Sequence, residues 1–134
     1  MTDITSALWR FWSQFEMNDV PIPAYQSGVV PDDAAYPYIT FDPAQADAMS
    51  TLPLSATLWV RYVNENSAQA IAQRTAFMGA VRRALPPGGV ILRLDVGYMV
   101  LRRGSGDFLS TLTDENDRNV LGGRVGYEIQ YMTL

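Results

Sequence analysis

Two stretches of this chain alternate between apolar and polar residues with a period of two, and they commit it to a β-sheet. Leu54, Ala56, Leu58, Val60 and Tyr62 alternate with Ser55, Thr57, Trp59, Arg61 and Val63, which predicts a central strand with one buried face. Val125, Tyr127, Ile129 and Tyr131 share one face of a second stretch, and Glu128 and Gln130 the other. That pattern predicts a final strand from Arg124 to Leu134. A sheet that buries one face needs a covering layer. Helical spacing supplies two candidates. Asp3 is a good N-cap, followed by Ile4, Leu8, Phe11 and Phe15, with Ala7 and Trp12 widening the stripe. This helix is expected to stop near Asn18. Asn66 and Gln69 resemble a capping box that opens the second helix. Ala70, Ile71, Phe77, Met78, Val81 and Leu85 would share its buried face. Arg82 and Arg83 fall in its last turn, where the helix dipole favours cations, before Pro86-Pro87-Gly88-Gly89 ends it.

Shorter strands are expected at Tyr36–Phe41, Val90–Val96, Tyr98–Arg103 and, more weakly, Phe108–Thr113. Pro37 marks the first of these as an edge strand or a strand start, because proline has no N–H for a ladder. Residues 18–35 read as an extended arm, and residues 42–53 and 104–119 as long loop regions. Residues 1–134 thus form one α+β domain. Its expected core is a mostly antiparallel sheet of about five strands, with two helices packed on one face. The other face lacks material to cover it, so Trp59, Arg61 and Val63 would meet solvent or a partner.

What the chain lacks narrows its chemistry. Of 134 residues none is cysteine or histidine, and all ten basic residues are arginine. Disulfides, thiolate metal sites, cysteine nucleophiles, histidine bases and lysine chemistry are thereby excluded. Catalysis would rest on carboxylates, hydroxyls and arginine alone, as in glycosidases. The net charge of −4 is unevenly spread. Residues 11–60 hold Glu16, Asp19, Asp32, Asp33, Asp42 and Asp47 and no basic residue. The low pI of about 4.6 argues against non-specific nucleic-acid binding. No stretch is long and apolar enough for a membrane span, and Met1-Thr2-Asp3 is no basic leader, so a soluble cytoplasmic product is expected.

Several constellations have plainer readings. Asp117, Asn119, Gly122 and Glu128 match four positions of a calcium loop. Leu121 at the fifth position offers no side-chain oxygen, and a turn before the last strand explains the segment better. Gly104-Ser105-Gly106 and Gly122-Gly123-Arg124-Val125-Gly126 open no helix, so hairpin turns and bulges fit better than phosphate loops. Asp32-Asp33 and Asp114-Glu115 read as solvated loop acids. Arg102 and Arg103 are strand neighbours and point to opposite faces. No catalytic residue, metal ligand or cofactor site is assigned.

The stretch Val30-Pro31-Asp32-Asp33-Ala34-Ala35-Tyr36-Pro37-Tyr38-Ile39-Thr40-Phe41 resembles the opening of small tail-terminator, tail-completion and minor-capsid proteins of long-tailed bacteriophages. These have an N-terminal helix and then a strand of the pattern P-x-x-A-x-Y/F-P-Y-I/V-x-F/Y. A long strand, a helix and a run of β follow. The likeness extends over most of the chain in element order and about a dozen residues in motif. It implies a virion tail protein assembled in the host cytoplasm, whose copies form a ring, commonly a hexamer. Such a ring caps the tail tube protein, docks the head–tail connector, and lets DNA pass without specific binding. Head–tail connector and minor capsid roles share this element order.

On that reading the residues sort into two groups. Trp9 lies about 140° round the first helix from Ile4, off its buried stripe. With Trp59, Tyr36, Tyr38, Arg61, Arg102 and Arg103 it is a candidate for contacts between copies, since tryptophan and arginine are enriched where interfaces bind tightly. Asp42, Asp47, Asp114, Glu115 and Asp117 are candidates to line the lumen, where like charge would keep DNA from sticking. The rival readings are a small carboxylate-based hydrolase and a monomeric binding module that uses Trp9 and Trp59.

Overall fold

A computed structural model describes residues 3–44, 51–62, 67–95 and 97–133. Helix α1 (Ile4–Trp12) begins where expected: the Asp3 carboxylate accepts the Ser6 N–H at 2.7 Å. That hydrogen bond holds the Asp3 carboxyl below its ordinary value. Ala7, Leu8, Phe11 and Trp12 are its buried side. The helix ends six residues before the expected Asn18, and the reason is local. Asn18 and Asp19 take φ of 52° and 65° and form a tight turn between β1 (Glu16–Met17) and β2 (Val20–Pro21). Two left-handed residues in succession are the signature of a two-residue hairpin. Phe15 still reaches the core, stacking edge-on against Phe77.

Beyond β2 the chain forms β3 (Ala24–Gln26) and β4 (Tyr38–Phe41), which pair in parallel. β5 (Thr51–Arg61) leads to helix α2 (Ser67–Ala84). There follow β6 (Val90–Leu94), β7 (Gly97–Arg103), β8 (Leu109–Thr113) and β9 (Val120–Thr133). The main sheet runs β3-β4-β5-β9-β7-β6, with β8 also on β9. The expected mostly antiparallel, five-stranded sheet is therefore corrected to a mixed, curled sheet of seven strands plus the small β1–β2 sheet. The arm expected over 18–35 supplies the difference, because β2 and β3 are too short to show a period. Pro37 precedes β4 as a strand start. β4 is no edge, since β3 lies outside it.

The long central strand is β9. It pairs with β5 from Thr51↔Gln130 to Arg61↔Val120. Its other side is shared end to end by β7, up to Arg103↔Tyr127, and β8, from Leu109↔Val125. Residues 104–108 bulge out between them. The expected loop over 104–119 is thus a bulge, a strand and a tight connection. Gly126 lies at the junction and accepts the Gly104 N–H at 2.9 Å while donating to the Phe108 carbonyl at 2.8 Å. A Cβ there would stand 2.7 Å from the Asp107 carbonyl oxygen, so only glycine fits. Gly122 and Gly123 belong to the strand itself and not to a turn. The final strand starts four residues earlier than its alternation indicated, because these glycines hide the pattern.

The core lies between one sheet face and both helices. Leu58, Val125, Tyr127, Leu101 and Met99 are fully buried on that face. Trp12 of α1 packs on Tyr127, with ring centroids 5.3 Å apart. α2 crosses over Gly123, where a Cβ would stand 2.9 Å from the Arg74 side chain. The Asn66–Gln69 capping box, Val63 and Val96 involve positions outside the described residues.

Burial pushes the Tyr127 phenol well above its ordinary value of 10, and the adjacent Trp12 indole only partly offsets this. Burial and the neighbouring Tyr36 hydroxyl push Tyr38 up to about 12. The unfolded chain ionises these tyrosines near pH 10, before the folded chain does. Their contribution is thus complete below pH 10 and is lost as pH rises through the folded values. We expect the urea midpoint to fall between about pH 10 and 12. In Tyr127→Phe that fall should be shallower, and an unchanged slope would show that Tyr127 titrates alike in both states.

Candidate functional site

The face of the sheet opposite the helices has no described element packed over it. It carries the residues of the opposite parity: buried Thr57 and half-buried Trp59 of β5, Tyr38 and Thr40 of β4, Tyr98, Val100 and Arg102 of β7, and Glu128 and Gln130 of β9. At one end aromatic rings gather. Tyr38 meets Tyr25 at 5.9 Å and Tyr36 at 5.0 Å between centroids. Trp59 is half-buried beside them and donates its Nε1–H to the Thr40 hydroxyl at 3.0 Å. Tyr36, Tyr38 and Trp59, all singled out from sequence, thus fall at one end of one surface. Tyr25 was missed, since it lies in the segment read as an arm. At the other end Ile91 is 70% exposed on β6.

Trp9 stands apart from that face. It is 50% exposed on α1, and its indole N–H donates to the Ala24 carbonyl at 3.2 Å. The Gln26 carbonyl accepts the Val29 N–H at 3.0 Å. Both bonds occupy backbone groups of β3, so the chain blocks this edge of its own sheet. Among the described residues, β6 has no strand on its outer side.

The arginines divide by role. Arg61 pairs with Asp117 at 3.4 Å, and Arg102 lies 3.6 Å from Glu128 while donating to Gln130 at 3.0 Å. These partly exposed pairs contribute little by themselves. Arg103 turns to the helix side. It donates to the Leu85 carbonyl at 2.8 Å and the Arg82 carbonyl at 3.3 Å, and its guanidinium stacks 4.3 Å over Phe108. It therefore caps the C-terminal end of α2 and ties it to the 104–108 bulge, with its charge used within the chain.

The lumen candidates are also placed. Asp42 accepts from the Ser27 hydroxyl at 3.1 Å and from the Ser55 N–H and hydroxyl at 3.2 and 3.1 Å. It joins the ends of β3 and β4 to β5. Asp114 and Asp117 accept the Asn116 and Asn119 N–H groups at 2.7 and 2.9 Å and shape the β8–β9 connection. Glu115 is exposed at the tip of that connection. Asp47 lies outside the described residues. The structure does not bring Asp42 together with the 114–117 acids by any hydrogen bond. The calcium-loop pattern is broken by the fold, because Gly122 and Glu128 lie along β9 while Asp117 precedes it.

Among the described residues, no group of three or more acids is placed to hold a metal ion. No described helix is long and apolar enough to cross a membrane. The described residues present an uncovered sheet face rimmed with aromatics, one blocked edge at β3 and one open edge at β6. No family model, no curated protein and no solved structure matches this chain.

Proposed function

We propose that this chain is a structural subunit of a long-tailed bacteriophage virion, a tail terminator or tail-completion protein. Its copies form a ring that caps the tail tube, docks the head–tail connector and surrounds the DNA without gripping it. The observation that carries this reading is the uncovered sheet face with Tyr25, Tyr36, Tyr38 and Trp59 at one end and Ile91 at the other. A face of that kind fits burial against another protein surface. The 30–41 motif supports the same reading, since Tyr38 lies on that face with Tyr36 packed beside it, while Ile39 and Phe41 anchor the strand in the core. The residue types present leave little for a reaction: no histidine, cysteine or lysine.

Light scattering after size exclusion, with negative-stain images of the same peak, tests the proposal. Ring-shaped particles with a central hole are the expected result. Co-assembly of those rings with tail tube protein would favour the terminator role, and co-assembly with the head connector alone would favour the connector role. A monomer at every concentration that also ignores purified tail tubes and connectors would overturn both. A tryptophan fluorescence response of such a monomer to a small ligand would instead favour the binding module.

A further inference from the structure

Some exposed charges among the described residues lie outside the chain's ion pairs. Among the described residues the ion pairs are Arg61–Asp117 and Arg102–Glu128. Asp32 and Asp33 are exposed and in neither pair, and so are Arg10 and Arg93. The two aspartates sit in a turn closed by the Ala34 N–H donating to the Pro31 carbonyl at 3.1 Å. The turn is entered through Val29, which is 68% exposed. The two arginines belong to a groove between α1 and β6, lined by Ala7, Arg10, Phe11, Gln14, Leu92 and Arg93. One element presents an exposed valine followed by two acids. The other presents an apolar floor with two arginines.

We propose that the α1–β6 groove of one copy receives the Val29–Asp33 turn of a second copy, with Asp32 and Asp33 meeting Arg10 and Arg93. The proposal rests on the ring reading above and names the contact that would build the ring. Charge complementarity selects this occupant. Other acidic elements are less suited: Glu16 of the β1–β2 hairpin already shares a groove with Arg83 of its own chain, and in the β8–β9 connection Asp117 pairs with Arg61 while Asp114 accepts the Asn116 N–H, which leaves Glu115. The turn is held by its own hydrogen bonds, so little ordering is needed on docking. Groove and turn are different patches: the groove lies between α1 and β6, the turn connects β3 to β4, and no residue of the turn lines the groove. A contact between different patches is head-to-tail, and its repetition from copy to copy gives a ring where the rotation closes and a filament where it does not.

The absence of cysteine makes a direct test possible. Ala34→Cys lies beside the turn, Gln14→Cys lies on the wall of the groove, and both leave all four charges in place. Treated with a flexible bis-maleimide, a mixture of the two variants should give crosslinked dimers, and neither variant alone should. Crosslinking of either variant alone, or of no mixture, overturns the contact. Reversal of charge supplies the second arm. Arg10→Glu with Arg93→Glu should raise the concentration needed for assembly about tenfold or more, and so should Asp32→Arg with Asp33→Arg. Mixing the two double variants should restore assembly. If the wild type forms rings that neither double variant disturbs, this contact is wrong while the ring reading stands. If the wild type forms no assembly alone or on tail tubes and connectors, the ring reading fails and the contact with it.

Discussion

Trp12→Ala is expected to lower the unfolding free energy by about 3–5 kcal/mol, read from urea denaturation followed by circular dichroism. Trp12 is the largest fully buried side chain in the described structure. It contacts Phe11 at 5.0 Å, Phe15 at 5.8 Å and Tyr127 at 5.3 Å between ring centroids. It therefore joins α1, the segment leading to β1 and the central strand β9. Alanine would leave a void that three aromatic neighbours cannot close without moving α1 off the sheet. Domains of this size have about 5–15 kcal/mol in total, so the variant should be close to unfolding at 37 °C. Trp12→Phe keeps an aromatic ring and should cost visibly less. A loss below about 1 kcal/mol for Trp12→Ala would mean that α1 is not anchored through this residue.

Gly89→Ala should cost about 2–5 kcal/mol, from two sources that add at one atom. Gly89 has φ of +79°, which an L side chain resists. Its added Cβ would stand 2.6 Å from the Leu101 carbonyl oxygen and 2.7 Å from Cγ of Arg102. The first of these is backbone in a paired strand and has nowhere to go. Gly88→Ala, one residue earlier, is the matched control. Nothing lies within 4 Å of a Cβ there and its φ is ordinary, so its midpoint should hold or rise slightly. Equal effects at the two positions would contradict the turn geometry of residues 86–89. Because this turn leads α2 into the edge strand β6, Gly89→Ala should also weaken assembly if β6 borders the contact between copies.

Much of the frame was legible because it repeats locally. The alternation of Leu54 to Tyr62 set one face of β5 into the core, and Ala56, Leu58 and Val60 are buried as that period requires. The Ile4–Trp12 stripe and the Pro86–Gly89 stop were legible for the same reason. Other features were hidden because they depend on residues far apart. β3 has three residues and no readable period, yet it joins the sheet because Ile39 and Ser27 complete its ladder with β4. Gly122, Gly123 and Gly126 read as a turn, but they are strand positions that other elements approach too closely for a side chain.

The candidate site divides in the same way. Trp9 and Trp59 were recognisable as residues off the buried stripes. That Trp9 seals the β3 edge while Trp59 joins an aromatic surface follows only from which strands become neighbours. Arg102 and Arg103 were separable by parity alone, since adjacent strand residues face opposite ways. Only the packing of α2 decided that Arg103 would cap its end. Sequence by itself determined the α+β character, the long strands, the first helix's buried side and the absence of histidine, cysteine and lysine chemistry, because each is written in local period or in composition. The tertiary structure alone decided the parallel β3–β4 pairing, the shared edge of β9 and which charges remain unpaired. Those depend on contacts between segments tens of residues apart, which no local pattern encodes.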